Sequence, residues 1–135
     1  EAGIRIMTSA YQSMFKKIVL VEDDPVTLRL LEGILSRNDF LVRSAKDGQA
    51  GLEIIRREKP DLVISDVVLP RLDGLGLCAR IKEDPVLASV KVVLITAVYR
   101  NVTLKQIMRD TKADAVIEKP LDAATLLARI NNLLA

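Results

Sequence analysis

Histidine and tryptophan are absent from this chain of 135 residues, and its one cysteine is Cys78. A structural zinc site takes four ligands, mostly cysteine and histidine, so this class of metal site is close to excluded. One cysteine cannot form an internal disulfide, which fits a protein of a reducing compartment. Cys78 shares a predicted helix face with Leu77 and Ile81, and we expect a buried thiol there rather than a reactive one.

Neither sign of charge dominates, since 20 Lys and Arg oppose 18 Asp and Glu. No stripe of basic residues is present, and we expect no direct nucleic-acid binding. No apolar run approaches the length of a membrane span, and residues 1–13 lack the basic start and apolar stretch of a signal peptide. These features indicate a cytoplasmic protein that does not interact with membranes.

The length of the chain suits one domain with one core. We interpret residues 1–13 as an N-terminal extension or a cloning remnant that is disordered, and Met14 as the natural start. Residues 14–135 then form the single domain.

Aliphatic residues dominate the composition, because half of the residues are hydrophobic while only 3% are aromatic. This mix favours parallel strands packed between helices over a β-sandwich. Short apolar runs alternate with segments of helical spacing, and an aspartate precedes four of the helical segments as a candidate N-cap. The predicted strands are 17–22, 40–45, 61–66, 91–96 and 115–119, and the predicted helices lie near 25–35, 47–58, 73–83, 101–111 and 122–134.

Five strands, each followed by a helix, predict a doubly wound parallel α/β sheet with helices on both faces. Ligands bind such sheets in the crevice beyond the carboxyl ends of the strands. Polar residues end or directly follow four of the five runs, where packing does not require them. They are Glu22, Asp23, Asp66, Thr96 and Lys119.

Carboxylates gathered at one edge repel one another, and a divalent cation relieves that repulsion. Mg²⁺ prefers hard oxygen ligands and retains several waters, so two carboxylates and a backbone carbonyl suffice. A lysine and a hydroxyl do not belong in a pure metal site, but they suit the oxygens of a phosphoryl group. The carboxylate nearest both lysine and metal is then the natural nucleophile. Asp24 is assigned to helix capping rather than to the metal, because Pro25 follows it.

Four motifs resemble the response-regulator receiver family of two-component signalling: VEDD at 21–24, DLVISDVVLP at 61–70 with the DG after it, VLITA at 93–97, and EKP at 118–120. The resemblance covers residues 16–135 and implies the flavodoxin-like strand order 2-1-3-4-5. It implies that Asp66 is the phosphorylated residue and a Mg²⁺ ligand. Asp23 would be a direct ligand and Glu22 one acting through water.

Further roles follow from the same resemblance. Val68 would lend its backbone carbonyl to Mg²⁺, Thr96 would bond the phosphoryl group, and Lys119 would pair with a phosphoryl oxygen. The Lys119–Pro120 bond is a candidate cis peptide. The partner would be a sensor histidine kinase or a phosphotransfer protein. The protein would catalyse only its own phosphorylation and dephosphorylation, and would bind partners or form a homodimer through its fourth helix, fifth strand and fifth helix.

The chain departs from the family pattern in two respects. The position three before the lysine, commonly aromatic, is Val116, so we expect the signal to leave through the loop after Thr96, with Tyr99 as a candidate relay. The alternative is that Tyr99 only covers the surface of the fourth helix. The positions two after the acceptor and two after the threonine, often polar, are Val68 and Val98. Neither can hold an attacking water, and we expect slow loss of the phosphoryl group.

Two other functions compete with this interpretation. A phosphatase or phosphotransferase of the haloacid-dehalogenase type also uses an aspartyl nucleophile with Mg²⁺, Thr and Lys, but the DVVL sequence at Asp66 lacks that class's second aspartate. A pseudo-receiver that binds partners without accepting phosphate usually lacks one of the key residues, and here all are present. The pathway, the output and whether this is a stand-alone receiver stay open.

Overall fold

The computed structural model describes residues 14–97 and 103–135 as an alternating series of strands and helices. The five strands are β1 (Lys17–Val21), β2 (Leu41–Ala45), β3 (Leu62–Asp66), β4 (Lys91–Thr96) and β5 (Ala115–Glu118). The five helices are α1 (Pro25–Arg37), α2 (Gly48–Glu58), α3 (Gly74–Glu83), α4 (Leu104–Thr111) and α5 (Ala123–Leu134).

The aspartates predicted as N-caps begin their helices. The side chains of Asp24, Asp47, Asp73 and Asp122 each accept a hydrogen bond from the backbone N–H three residues on. Each bond satisfies one of the amide groups that the first turn of a helix leaves unpaired. The assignment of Asp24 to capping is therefore confirmed.

The strands form one parallel sheet in the order β2-β1-β3-β4-β5, which confirms the predicted topology. The chain winds outward in one direction from β1 to β2 and in the other from β3 to β5. The order therefore reverses between β1 and β3, and β3 lies at the centre of the sheet. All five carboxyl ends lie at the same edge.

Two apolar layers cover the faces of the sheet, because successive side chains of a strand point to opposite sides. On one face Val19 and Val21 of β1 pack with α2, α3 and α4. On the other face Ile18 and Leu20 pack with α1 and α5. Strand β3 is buried along its whole length, which explains why it begins with three consecutive apolar residues, Leu62, Val63 and Ile64, rather than an alternating pattern.

Several boundaries differ from the sequence prediction by one to three residues. The described part of the fourth helix begins at Leu104, where Thr103 and Gln106 form a reciprocal capping box, instead of near Asn101. Strand β5 ends at Glu118, so Lys119 stands just beyond the strand. Within residues 14–97 and 103–135, every helix is too short to cross a bilayer.

Candidate functional site

Three carboxylates meet at the carboxyl edge where the order of the strands reverses. Glu22 and Asp23 follow β1, and Asp66 is the last residue of β3. Oxygen atoms of the three carboxylates all lie within 4.8 Å of one another. Glu22 and Asp66 are buried, with exposed fractions of 2% and 8%, while Asp23 is exposed. The predicted acidic cluster therefore exists as one compact group.

Both carboxylate oxygens of Asp66 have partners. Lys119, which follows β5, donates from Nζ to Asp66 Oδ2 at 2.6 Å. The backbone N–H of Val68 donates to Asp66 Oδ1 at 3.1 Å, which orients the carboxylate relative to the loop after β3. Lys119 and Asp66 are 53 residues apart in the sequence. They meet because β5 lies two strands from β3 and ends at the same edge of the sheet.

The surroundings of Glu22 disfavour its charged form. Burial raises the pKa of Glu22 above its ordinary value, and the negative charges of Asp66 and Asp23 raise it further. A hydrogen bond from the Asp24 backbone N–H to Glu22 Oε2 at 3.0 Å, and the ammonium of Lys119 at 3.7 Å from Oε1, act in the opposite direction. The balance disfavours ionisation, because like charges crowd a poorly solvated site.

Lys119 is held in its charged form by the same cluster. Burial alone would lower the pKa of Lys119, but the hydrogen bond and charge of Asp66 outweigh it, with help from Glu22 and Asp23. The pKa of Lys119 is therefore raised above its usual value. Its one ammonium faces three carboxylates, so the ionised site retains an excess of negative charge.

This donor set fits a magnesium ion. The three carboxylates provide hard oxygen ligands from two neighbouring strand ends, and the excess negative charge calls for a cation. The exposed carboxylate of Asp23 leaves one side open to the waters that Mg²⁺ retains. Zinc would suit the set poorly, because it contains no nitrogen or sulfur.

Thr96 ends β4, which lies next to β3 in the sheet, and its side chain is buried. Its hydroxyl donates to the backbone carbonyl of Ala97 at 2.8 Å, which leaves this hydroxyl without a bond to Asp66. The backbone N–H of Lys119 donates to the Thr96 carbonyl at 2.8 Å and joins the ends of β4 and β5. The Lys119–Pro120 peptide is cis, as expected.

Two glycines lie against the backbone of β3 and of the loop between β3 and α3, and the sequence did not reveal their role. A Cβ on Gly74 would lie 2.2 Å from the Asp66 carbonyl oxygen, and a Cβ on Gly48 would lie 1.7 Å from that of Leu72. The Gly74 N–H also donates to the Val67 carbonyl at 2.8 Å. Only glycine permits these approaches. The DG motif hinted at Gly74, whereas nothing in the sequence linked Gly48 to this loop.

The remaining predicted residues are placed as follows. Val68 lies in the loop after β3 with its side chain 61% exposed. Val116 lies in the middle of β5 and is buried. Cys78 is buried, as predicted, and its thiol donates to the Thr111 carbonyl at 3.3 Å. Val98 and Tyr99 lie outside the described residues, as do residues 1–13.

Comparison with known proteins agrees with this geometry. The family described as the response regulator receiver domain matches residues 18–131. The transcriptional regulatory protein CseB of Streptomyces coelicolor is 36% identical over 117 residues, which are 87% of this chain and 48% of CseB. The response regulator PleD of Caulobacter vibrioides is 34% identical over 120 residues, 89% of this chain and 26% of PleD. The chain thus spans less than half the length of these relatives.

Solved structures with the same fold include isolated receiver domains. The BeF3-activated N-terminal receiver domain of RstA from Klebsiella pneumoniae is 35% identical, with a TM-score of 0.79 over 87% of this chain and 97% of that one. The signal receiver domain of a signal transduction histidine kinase from Syntrophus aciditrophicus is 30% identical, with a TM-score of 0.80 over 88% and 89% of the two chains.

Proposed function

The chain belongs to the response regulator receiver domain family, and from this we propose that it is a signalling switch that accepts a phosphoryl group on Asp66. Members of the family serve two-component signalling and are not classical enzymes. The observation that supports the proposal most is the 2.6 Å contact between Lys119 Nζ and Asp66 Oδ2 beside two further carboxylates.

The phosphoryl donor is a sensor histidine kinase or a phosphotransfer protein. An oxygen of Asp66 attacks the phosphorus, the bond between phosphorus and the donor's imidazole nitrogen breaks, and the imidazole leaves. The product is an acyl phosphate on Asp66. Lys119, already paired with this carboxylate, moves its ammonium onto a phosphoryl oxygen. Thr96 turns its hydroxyl from the Ala97 carbonyl to another phosphoryl oxygen.

The residues that would hold Mg²⁺ are Asp23 and Asp66 as direct ligands, the backbone carbonyl of Val68, and Glu22 through water. When bound, the ion neutralises negative charge on the transferring phosphoryl group. The raised pKa of Glu22 supports this assignment, because burial and neighbouring carboxylates make its charge costly without a cation.

Phosphorylation adds nearly two negative charges and three acceptor oxygens beside Thr96. The short, branched side chain of Val116 has few rotamers through which to report that change. We therefore place the relay in the loop after Thr96, with Tyr99 as its large side chain. The affected surface comprises α4, β5 and α5, and it binds a partner or a second copy.

The first test is labelling with acetyl phosphate and Mg²⁺ followed by intact-mass measurement. The wild-type chain should gain one phosphoryl group, and Asp66→Asn should gain none, because it lacks the nucleophile. Asp23→Ala should still be labelled, but only at higher Mg²⁺ concentrations, because it loses a ligand and keeps Asp66.

Asp61→Asn is the matched control, since Asp61 is an exposed aspartate at the other edge of the sheet, before β3. Its labelling should equal that of the wild type. Unchanged labelling of Asp66→Asn would refute the assignment. Absence of labelling in the wild type would indicate a pseudo-receiver, and continuous turnover of acetyl phosphate would indicate a phosphatase.

A further inference from the structure

The loop between β3 and α3 contains a turn with an uncommon backbone conformation. Arg71 has a φ of 70°, and the N–H of Leu72 donates to the carbonyl of Pro70 at 2.8 Å. A hydrogen bond between residues two apart, across a central residue with positive φ, is the pattern of the γ-turn form that is rare and strained. The backbone of the loop is therefore held in a conformation that costs a non-glycine residue free energy.

Arg71 differs from the other non-glycine residues with positive φ in the described ranges. Asp39, Lys59 and Lys112 each lie at the end of a helix, where a left-handed residue is a usual way to stop. Arg71 instead lies in a loop, five residues after Asp66 and before α3 begins. The end of a helix therefore cannot explain its conformation.

The first residue of α2 holds the turn in place. The N–H of Gly48 donates to the Pro70 carbonyl at 3.4 Å, and the Leu72 carbonyl lies so close to Gly48 that a Cβ there would be 1.7 Å away. The side chain of Arg71 contributes little, because its Nε is 3.7 Å from Asp47 Oδ2 and the side chain is 74% exposed. Backbone packing against Gly48, rather than the guanidinium, therefore fixes the turn.

The other end of the loop is also fixed. The N–H of Val67 donates to a carbonyl of β4 at 2.9 Å, and the carbonyl of Val67 accepts from the N–H of Gly74 at 2.8 Å. Only Val68 and Leu69 lie between Val67 and the turn, and the side chain of Leu69 is buried. The backbone of Val68 is consequently held from both sides.

Strained backbone persists where the surrounding structure enforces it, and such positions cluster at functional sites. The segment held here carries the Val68 carbonyl. We propose that Arg71 is a positioning residue for the Mg²⁺ site: its left-handed turn, held against Gly48, fixes the place of the Val68 carbonyl before the ion binds. The inference rests on the proposed function and extends the Mg²⁺ site to the start of α2. The alternative is that the turn only connects β3 to α3.

Calorimetric titration of the 135-residue chain with Mg²⁺ alone tests the proposal through variants of one position. Arg71→Val and Arg71→Gly both remove the guanidinium, and they differ in which backbone conformations they allow. Arg71→Val should bind Mg²⁺ about tenfold more weakly, because a β-branched residue disfavours positive φ and the loop must rearrange. Arg71→Gly should keep the wild-type affinity, since glycine adopts positive φ readily. Arg71→Ala should fall between them, and it supplies the comparison if Arg71→Val does not fold.

A matched control separates positioning from a general loss of stability. Lys112 has a φ of 61° and lies just before β5, at the opposite edge of the sheet. Lys112→Val should lower the thermal midpoint as Arg71→Val does, but it should leave the affinity for Mg²⁺ unchanged.

Labelling by acetyl phosphate at increasing Mg²⁺ concentration gives a second readout. Arg71→Val should need about tenfold more Mg²⁺ to reach its half-maximal rate, because the Val68 carbonyl is misplaced. At saturating Mg²⁺ it should reach the wild-type rate, since Asp66 and Lys119 are unchanged. A change in the Mg²⁺ requirement without a change in the maximal rate is the signature of a positioning residue.

Three results would overturn the proposal while the proposed function stands. Equal Mg²⁺ affinity of the wild type and Arg71→Val would show that the turn is only a connection. Equal weakening by Arg71→Gly and Arg71→Val would assign the effect to the lost guanidinium, and equal weakening by Lys112→Val would assign it to stability. Absence of Mg²⁺ binding by the wild type would overturn the proposed Mg²⁺ site itself, and this outcome is visible before any substitution is made.

Discussion

Two glycine-to-alanine substitutions in helices should change stability in opposite directions. Gly48 begins α2, and Gly33 lies within α1. At Gly48 the added Cβ would stand 1.7 Å from the Leu72 carbonyl oxygen, which belongs to the loop that follows the Asp66 strand. At Gly33 the added Cβ would meet only the flexible end of Arg37, at 3.0 Å.

The structure gives the size of each effect. Gly48→Ala requires the Leu72 carbonyl and the Cβ to separate from 1.7 Å to at least 3.0 Å, a shift of 1.3 Å between two backbone segments. Overpacking of this kind costs about 1–3 kcal/mol. Gly33→Ala requires only a rotation of Arg37, and it removes backbone freedom from the unfolded chain. It should therefore stabilise the protein by about 0.5–1 kcal/mol.

Urea denaturation followed by circular dichroism measures both changes. With a slope of about 1–3 kcal/mol per molar urea, the midpoints of the two variants should differ by roughly 1 M, with the wild type between them. A Mg²⁺ titration of the folded variants gives a second readout. Gly48→Ala should bind Mg²⁺ more weakly than Gly33→Ala, because the displaced loop includes Val68. A midpoint for Gly48→Ala at or above that of the wild type would refute the steric argument.

Two other predictions concern reactivity. The phosphorylated chain should lose its phosphoryl group slowly. Val68→Asn or Val98→Glu should accelerate the loss, because each places a water-binding group two residues after Asp66 or Thr96. Rapid decay of the wild type that neither variant changes would contradict this prediction. Burial raises the pKa of Cys78 to about 11, so at pH 8 roughly one thiol in a thousand is ionised and a disulfide reagent should modify Cys78 only in urea. Equal rates of modification in the native and the unfolded chain would show that the thiol is accessible.

The fold could be predicted from the sequence because its determinants are local. Apolar runs of strand length, helical spacing between them and aspartates at the helix starts each involve residues close in the chain. The start of α4 was harder to predict. Thr103 and Gln106 form the capping box that begins the helix, but polar residues before Thr103 are also possible helix starts in the sequence. Burial of β3 on both faces corresponds in the sequence to three consecutive apolar residues, Leu62, Val63 and Ile64, instead of an alternating pattern.

The composition of the candidate site was also predictable, since a parallel sheet brings the residues that follow its strands to one edge. Glu22, Asp23 and Asp66 were expected together, and they lie together. The sequence could not determine which groups touch. That Lys119 contacts Asp66 Oδ2 at 2.6 Å while Thr96 bonds to Ala97 depends on side-chain conformations in the folded state.

Only the tertiary structure decided the contacts between elements that no local pattern connects. Gly48 and Leu72 approach closely because α2 and the loop after β3 pack at the same edge, and a helix-forming pattern reads the same with glycine or alanine there. Periodicity specifies which face of an element is buried, whereas packing of distant segments determines what that face meets and where space remains.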